Sequence, residues 1–300
     1  RTVEVAFVLS PFAHADIGDI NTAAASKLPG VVAIVTGREI ANHMTPWTGI
    51  MDNQPALKSV PQYALAVDRA TWQGEPVIAV VAQTRSIAED AADMVVIDWT
   101  EKPVVADMLS ALDPTAPVLH PELGDNKMFE RSVEKGDVDT AFNNAAYVVE
   151  GTFDFGRHTG VTLEPRTMVS SWDASEGQLT VHYGGQAVHM IQVLFSKHLG
   201  IPERNIRVVA GDCGGSYGIK SHLYGDEFAT AVLSMMLNRP VRYRADRIES
   251  FVSDIHARQH RLSGRMGVDI HGKIVAFEFD DITAAGAYSA YPRTSCVEAN

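Results

Sequence analysis

Residues 206–240, IRVVAGDCGGSYGIKSHLYGDEFATAVLSMMLNRP, place a β-branched run, a glycine-rich loop and a long apolar run in direct succession. The β-branched run predicts a buried strand over 206–210. The apolar run predicts a helix over about 222–237 that ends at Asn238-Arg239-Pro240. A strand that passes through a glycine loop into a helix indicates an α/β fold.

The same alternation of strands and helices extends along the rest of the chain. Short β-branched runs predict strands at 3–9, 31–36, 77–82 and 94–99, with a helix over 86–93 that Ser86 caps. The patterns further predict a helix capped within Gly136–Asp139 that runs to about Ala146, strands at 147–153 and 178–183, and a helix over 187–199. Residues 258–285 predict strands around a turn at His271-Gly272. The predicted fold class is therefore α/β (α+β).

A proline-rich stretch divides the chain into two predicted units. Residues 113–136 carry three prolines, many polar groups and little apolar periodicity. We therefore predict an α/β unit over 1–112, a linker over 113–135 and a second α/β unit over 136–300.

The composition is that of a globular chain with a sizeable core. Its 300 residues include 25 Lys+Arg and 37 Asp+Glu, for a net charge of −12, and 46% of them are apolar. The acidic balance repels phosphate backbones, so we expect a small molecule or a protein as partner and no nucleic acid. No apolar run reaches the roughly 20 residues of a membrane helix, and the N-terminus lacks the form of a signal peptide. We therefore expect a cytoplasmic chain without a membrane span.

Cysteine usage limits the redox chemistry that this chain can hold. Cys213 and Cys296 are the only cysteines, too few for a disulfide framework or for iron–sulfur clusters held by this chain alone. The first residue is not Met, and we expect a fragment or a processed piece.

The densest glycine signal is the loop Gly211-Asp212-Cys213-Gly214-Gly215-Ser216-Tyr217-Gly218. Glycine permits a positive φ and lets a ligand approach the backbone, and consecutive N–H groups ahead of a helix attract anions. The pattern is neither a dinucleotide G-x-G-x-x-G nor a P-loop, since Ile219 separates Gly218 from Lys220. It fits a cofactor cradle or a tight turn.

Three other groups each have a functional and a structural interpretation. Cys213 fits a thiol nucleophile near His182 or His189, or a small buried residue. Gly184–Gln186 fits an amide aimed into a cleft, or a plain turn before a helix. Glu164–Arg166 fits a carboxylate and a guanidinium at a site, or a structural ion pair.

His256 and His260 are four residues apart and fit one face of a helix. No H-E-x-x-H accompanies them and no third ligand is evident, so we predict no metal held by protein side chains.

A basic cluster follows the predicted helix 222–237, and Val241 and Tyr243 alternate with two of its members. The alternation indicates the edge of a sheet and a solvated face, while anion binding or subunit docking is the alternative. The cluster consists of Arg239, Arg242, Arg244 and Arg247.

Several ordered segments together resemble one enzyme family. They are 7–17, 28–37, 73–82, Gly136–Asp139 with Ala141-Phe142, Leu163–Arg166, Gln186, Asp212–Lys220 and Gly225–Arg247. In this order they resemble the large, molybdenum-binding subunit of the xanthine dehydrogenase / aldehyde oxidase family, the molybdenum hydroxylases. The first three resemble its N-terminal hammerhead domain, and the resemblance covers nearly all 300 residues.

The resemblance implies a hammerhead domain of mixed α/β structure followed by the first part of a molybdopterin-binding α/β domain. It implies a molybdenum-dependent oxidoreductase that oxidises an N-heteroaromatic or aldehyde substrate with water as oxygen source. The molybdenum would be held by the dithiolene of molybdopterin, expected in its cytosine dinucleotide form. Electrons would pass to [2Fe-2S] and FAD on an Fe-S subunit and an FAD subunit.

The resemblance also implies roles for individual residues. Gln186 would be the catalytic residue and would hydrogen-bond near the molybdenum oxo group. Besides Gln186, which would also bind the cofactor, five cofactor-binding residues would contact the pterin and the apical oxygen, and Tyr217 and Ser221 would face the substrate. These five are Gly214, Gly215, Ser216, Tyr217 and Gly218.

Two departures from the family pattern change these expectations. Ser221 stands where the pattern closes with an acidic residue, which disfavours xanthine as substrate. The family's base glutamate lies in a C-terminal segment beyond Asn300, so we expect the missing C-terminal half of the molybdenum subunit to complete the site. The alternative is a catalytically silent cofactor-holding or assembly module.

Overall fold

The computed structural model describes residues 2–49 and 56–288. Residues 289–300, with Cys296, lie outside the described ranges.

The elements of the first part of the chain alternate between strands and helices. They are β1 (Val3–Leu9), β2 (Ala15–Asn21), β3 (Val31–Thr36), α1 (Gly37–Ala41), β4 (Arg69–Ala70), β5 (Pro76–Ala82), α2 (Arg85–Asp93) and β6 (Val96–Glu101).

The second part begins with a short helix after an irregular stretch. It contains α3 (Val138–Asn143), β7 (Tyr147–Phe155), β8 (Thr167–Asp173), β9 (Gln178–Tyr183), α4 (Val188–Leu199), β10 (Ile206–Ala210), α5 (Gly225–Leu237), β11 (Val241–Arg244), α6 (Arg247–Ser253), β12 (Gln259–Val268) and β13 (Ile274–Ala284).

A seven-stranded mixed sheet forms the centre of the molecule, in the order β10-β9-β8-β11-β1-β5-β3. Strand β1 pairs in parallel with β11 and antiparallel with β5, so the sheet is continuous across the two predicted units. The division at 1–112, 113–135 and 136–300 stays a prediction. Two three-stranded sheets, β4-β2-β6 and β13-β12-β7, complete the fold.

Helix α5 packs against the central sheet and is itself buried there. It packs on β8, β11 and β5, and its residues from Asp226 to Ser234 are all buried. Each large apolar side chain buried in this way contributes about 1.5–3 kcal/mol. Strand β5 is buried along its whole length, as its unbroken apolar run requires of a strand with neighbours on both sides.

Most predicted elements are confirmed, with shifts at their ends. Helix α2 is capped by Thr84 rather than Ser86, because the Thr84 hydroxyl accepts the N–H of Ile87. Its C-terminal turn includes Met94, so the next strand begins at Val96. Helix α5 begins at Gly225 because Tyr224 has an extended backbone. Helix α3 ends at Asn143, three residues before the predicted end.

The prediction of an edge strand is wrong, whereas the predicted solvated face is confirmed at Arg239 and Arg244, which are exposed. Strand β11 lies between β8 and β1 in the interior of the central sheet. Arg242 Nε donates to Glu4 Oε1 at 2.7 Å, and Arg244 also pairs with Glu4. The two arginines therefore neutralise a buried carboxylate from the far end of the chain.

Candidate active site

The candidate site lies where β9 and β10 end. These strands are parallel neighbours, with Tyr183 opposite Ala210, and each continues through a glycine-containing loop into a helix. Strand β8 runs antiparallel to β9, so Glu164–Arg166 enters at the same edge of the sheet. The crevice outside the carboxyl ends of parallel strands is the usual ligand site of open α/β sheets. Three of the predicted candidate segments thus meet at one place.

The turn Gly184–Gln186 is held against the glycine loop. The N–H of Gln186 donates to the carbonyl of Lys220 at 3.0 Å. A Cβ on Gly185 would lie 2.3 Å from the Tyr183 ring, so only glycine fits this approach. Ala187 follows with a positive φ of 58°, which turns the chain sharply into α4. Gln186 therefore stands exposed at the edge of the sheet where β9 ends.

The side-chain amide of Gln186 has a defined orientation. Ser221 Oγ donates to Gln186 Oε1 at 2.9 Å. Because this bond occupies the amide oxygen, the NH₂ end is the part of Gln186 that remains available to a ligand. Ser221, which the family resemblance places against the substrate, thus contacts the predicted catalytic residue.

The glycine loop presents an unusual run of backbone donors. Within the described ranges, the N–H groups of residues 215–218 have no hydrogen-bond acceptor. Gly215, Tyr217 and Gly218 have positive φ values of 100°, 50° and 94°. Backbone amides without a partner in such a glycine-rich turn bind anions or oxygen atoms.

The loop has open space on its ligand side and strain in its backbone. A Cβ on Gly218 would meet no atom within 4 Å. Tyr217 is a non-glycine residue in the left-handed region, which costs of order 1–3 kcal/mol, and its ring is 80% exposed. Ser216 is buried, and its carbonyl accepts the N–H of Ile219 at 3.0 Å. The loop therefore fits a cofactor cradle better than a closed turn.

An ion pair between a buried lysine and a partly exposed glutamate supports the loop. Lys220 is fully buried, and its Nζ lies 3.1 Å from Glu164 Oε2. The same carboxylate oxygen accepts the N–H of Gly214. Burial opposes ionisation of Glu164, but the Gly214 N–H and the Lys220 ammonium outweigh it and lower the pKa of the carboxyl. Glu164 is thus ionised and fixed to the start of the cradle.

Arg166 belongs to a different and more deeply buried cluster. Its Nη2 lies 2.7 Å from Asp226 Oδ2 and its Nε lies 2.6 Å from Asp254 Oδ1. Glu227 Oε1 lies 3.4 Å from Nη1, and the guanidinium stacks 3.8 Å from the Tyr224 ring centroid. Glu164 and Arg166 therefore form ion pairs with other partners and not with each other.

The buried cluster holds a proton at neutral pH. Burial raises the pKa of Glu227 to about 8 against the attraction of Arg166, and the charge of Asp226 adds to the rise. One guanidinium thus faces three carboxyl groups of which one is protonated. Burial also raises the pKa of Tyr224, whose hydroxyl donates to the carbonyl of Ile219 at 2.6 Å. The cluster is therefore connected to the end of the glycine loop.

The other sequence candidates do not join this site as metal ligands. Cys213 Sγ lies 3.7 Å from Lys220 Nζ and 3.3 Å from the carbonyl of Gly215, beneath the loop. His256 and His260 do not share a helix, because His260 lies in β12 and bonds to Asp281. Within residues 2–49 and 56–288 no cluster of three His, Cys, Asp or Glu side chains is placed to hold a metal ion. Nor does any helix in these ranges have the length and apolarity to span a bilayer.

Lys220 and the Arg166 cluster are the site features that sequence reasoning missed. Lys220 follows the glycine loop and Ile219, and nothing in the spacing of the sequence distinguishes a buried lysine from a solvated one. Arg166 draws its partners from residues 60 to 88 positions away, which single-sequence patterns do not report.

Two family models match the chain in succession. A model described as "Aldehyde oxidase and xanthine dehydrogenase, a/b hammerhead domain" matches residues 2–103. A model described as "Molybdopterin cofactor-binding domain" matches residues 119–299. The two models occur in the predicted order, so the predicted fold class is confirmed.

Curated relatives match nearly the whole chain but are much longer. The nicotine 6-hydroxylase large subunit of Paenarthrobacter nicotinovorans is 32% identical over 97% of this chain and 36% of its own length. The carbon monoxide dehydrogenase large chain of Hydrogenophaga pseudoflava is 31% identical over 94% of this chain and 36% of its own length. The chain thus spans about a third of the length of these relatives.

A solved structure shows the same architecture. Quinoline 2-oxidoreductase from Pseudomonas putida 86 matches with a TM-score of 0.94 and 33% identity, over 99% of this chain and 37% of that one. The aldehyde oxidoreductase of Desulfovibrio gigas, at 24% identity and a TM-score of 0.85, shares the fold.

Proposed function

Because this chain belongs to the aldehyde oxidase and xanthine dehydrogenase family, with a hammerhead domain ahead of a molybdopterin cofactor-binding domain, we propose that it forms one wall of a molybdenum hydroxylase active site. The observation that carries the proposal is the run of four backbone N–H groups at 215–218 that lack acceptors within the described ranges. They stand in the loop that follows β10, and Gln186 stands in the neighbouring loop that follows β9.

The proposed reaction is the oxidation of an N-heteroaromatic or aldehyde substrate with water as the source of oxygen. When bound, the molybdenum–molybdopterin cofactor supplies the two-electron oxidation. Two of the matched proteins are named for nicotine and quinoline, both N-heterocycles, which supports the first substrate class. The electrons would pass to [2Fe-2S] and FAD on partner subunits, and several relatives are named as subunits of larger enzymes.

The residues of this chain hold and orient the cofactor. The amides of Gly215, Ser216, Tyr217 and Gly218 would donate to oxygen atoms of the bound group, and Gly214 joins the loop to Glu164. Gln186 adds its NH₂ group from the opposite loop, because its amide oxygen is already bonded to Ser221. Preorganised donors of this kind stabilise negative charge that develops on oxygen during attack.

Tyr217 and Ser221 define the substrate side of the wall. The exposed Tyr217 ring provides an aromatic face against which a flat heterocycle packs. Ser221 acts through Gln186, and it lacks the charge of an acidic side chain at that position. The wall therefore favours neutral aromatic substrates.

The proposal extends to the form of the cofactor and to the assembly. The cytosine dinucleotide form of molybdopterin agrees with the match to carbon monoxide dehydrogenase large chains. The remaining wall, with its base glutamate, would come from the C-terminal half of the molybdenum subunit, since the matched relatives are nearly three times as long as the aligned portion. A cytoplasmic location stays a prediction of the sequence.

Substitution of Gln186 tests the proposed chemistry. In the complete complex, Gln186→Ala is expected to slow the reduction of molybdenum by substrate while the pterin content stays unchanged. Loss of one charge-assisted hydrogen bond corresponds to about 1.5–3 kcal/mol, or roughly 10- to 150-fold in rate. A pterin loss as large as the loss of rate would show that Gln186 is structural.

The second candidate function is a catalytically silent module that holds the cofactor or assists assembly. It is favoured by the exposed cradle, whose donor amides at 215–218 all belong to this chain. Molybdenum and pterin analysis of the isolated chain and of the co-expressed complex separates the two. Turnover in the complex alone supports the hydroxylase, and bound pterin without turnover in either supports the silent module.

A further inference from the structure

The three-stranded sheet β13-β12-β7 has two faces of opposite character. The β12–β7 register is regular and the β12–β13 register shifts only between Gly267 and Val268, and Val149, Met266 and Phe277 lie side by side across the three strands. Because alternate residues of a strand point to opposite faces, this row determines which face of the sheet each residue of the three strands lies on. The first face carries Tyr147, Val149, Phe153, Phe155, Leu262, Met266, Val268, Phe277 and Phe279.

The second face is polar and satisfied within the sheet. Arg261 Nε lies 2.7 Å from Asp154 Oδ1, and Arg265 Nη2 lies 2.7 Å from Glu278 Oε2. At one end Gly267 packs against α3. This face has the ion pairs and polar side chains of a solvent-facing surface.

The first face, which we call the aromatic face, is exposed despite its composition. Phe153, Phe277 and Phe279 are 57%, 54% and 53% exposed, and Val149 is 68% exposed. The Phe277 and Phe279 rings lie 5.6 Å apart, so the exposed surface is contiguous. His260 and Asp281 bond to each other and close the face at one end with polar groups. Contiguous apolar surfaces of this kind mark interaction sites on soluble proteins.

The size of the aromatic face distinguishes between possible occupants. Three strands at about 4.8 Å spacing and nine residues at about 3.3 Å rise give roughly 430 Å². A standard stable interface needs about 800 Å² on each partner, so a second copy docked on this face alone would bury too little. A segment of the same polypeptide needs no interface of this size, because it is also attached through the chain and through contacts elsewhere.

The curated relatives supply such a polypeptide. The aligned portion is 36% of the nicotine 6-hydroxylase large subunit and 36% of the carbon monoxide dehydrogenase large chain, so nearly two thirds of each lies outside the match. Resting on the function proposed above, we infer that the aromatic face is the surface on which the remaining part of the molybdenum subunit folds. The covering segment presents an apolar face, from a strand or a helix, to the aromatic face. When it is in place, the aromatic side chains form a hydrophobic core between the sheet and the covering layer.

Site-specific photo-crosslinking in the molybdenum subunit, purified as the cell makes it, tests the inference. Phe279→p-benzoylphenylalanine places the reactive group on the aromatic face, and Glu278→p-benzoylphenylalanine places it on the polar face one residue away. Mass spectrometry of the products is expected to show Phe279 joined to molybdenum-subunit residues outside the 300 of this chain. The Glu278 control is expected to show at least tenfold less of that product.

Two outcomes would overturn the inference. One is crosslinking of Phe279 to a second copy of residues 1–300 or to a different subunit, and the other is equal labelling from both positions. Hydrogen exchange of the unsubstituted subunit provides a second measurement if the substituted proteins do not fold. In the complete subunit, amides of 147–155 and 274–284 should exchange at least tenfold more slowly than those of the largely exposed strand 96–101, and equal rates contradict the inference. Pterin content of the same samples tests the proposed function separately, because neither measurement depends on bound cofactor.

Discussion

Adding a single methyl group to the glycine loop has opposite consequences at two positions. A Cβ on Gly214 would lie 2.6 Å from Glu164 Cβ and 2.9 Å from Glu164 Oε2. Rotation of the Glu164 side chain does not relieve the first contact, because Cβ is bonded directly to the backbone. A Cβ on Gly211, in the same loop, would meet no atom within 4 Å. The two variants therefore differ in packing and not in chemistry.

The expected cost follows from these contacts. Overpacking costs about 1–3 kcal/mol, and a weakened hydrogen bond to a charged group costs about 1.5–3 kcal/mol. These terms overlap at Gly214, and we expect Gly214→Ala to lower the free energy of unfolding by about 2–4 kcal/mol. Gly211→Ala restricts the unfolded chain without straining the folded one. We therefore expect it to raise the free energy of unfolding by up to about 1 kcal/mol.

Urea titrations monitored by tryptophan fluorescence measure the free energy of unfolding of both variants. Pterin content, measured by fluorescence after oxidation of the released cofactor, adds a readout of the proposed cradle. Gly214→Ala should lose pterin, since displacement of Glu164 moves the amides that follow it, and Gly211→Ala should retain it. Equal unfolding free energies for the two variants would refute the close approach of Gly214 to Glu164.

The buried cluster and the Gln186 contact give three more expectations. Arg166→Met should lower the free energy of unfolding by about 3–5 kcal/mol in urea titrations, because it leaves buried carboxylates without a cation; the exposed ion pair of Arg38 makes Arg38→Met a control that costs less than about 1 kcal/mol. The raised pKa of Glu227, about 8, means that the folded state holds an extra proton, so the contribution of Glu227 to stability is greatest below the ordinary pKa of 4.5 and is lost as pH rises toward 8. Glu227→Gln should flatten this fall, and an unchanged slope between pH 5 and pH 8 would contradict the assignment of the proton. Ser221→Ala should slow substrate-dependent reduction of molybdenum by roughly 2- to 12-fold with unchanged pterin content, and an unchanged rate would show that Gln186 does not depend on Ser221.

The elements that carry the site were predictable because their signals are local. The strand at 206–210, the glycine loop and the helix that follows occupy consecutive residues, whereas the parallel pairing that makes the loops after β9 and β10 neighbours was not predicted. Periodicity also located Gln186 at the start of α4. The roles carried by the family resemblance for Gly214–Gly218, Tyr217 and Ser221 stay predictions.

The features that sequence could not show depend on contacts between distant residues. The alternation of Arg242 and Arg244 with apolar residues looks the same in an edge strand and in an interior one. In the interior strand, Arg242 pairs with Glu4 on the neighbouring strand β1, and Glu4 lies 238 residues earlier in the chain. Likewise Lys220 is buried only because Glu164, 56 positions earlier, provides its counter-charge. A pattern of spacing contains no information about such partners.

The parallel pairing of β1 with β11 has a consequence for biosynthesis. One edge of β1 remains open until β11 has been made, and at about 5–20 residues per second the ribosome needs roughly 12–50 seconds to produce the residues between them. During that interval an apolar strand presents free N–H and C=O groups to other nascent chains, a hazard for aggregation. Chaperone assistance during translation would therefore increase the yield of this polypeptide more than assistance after its release.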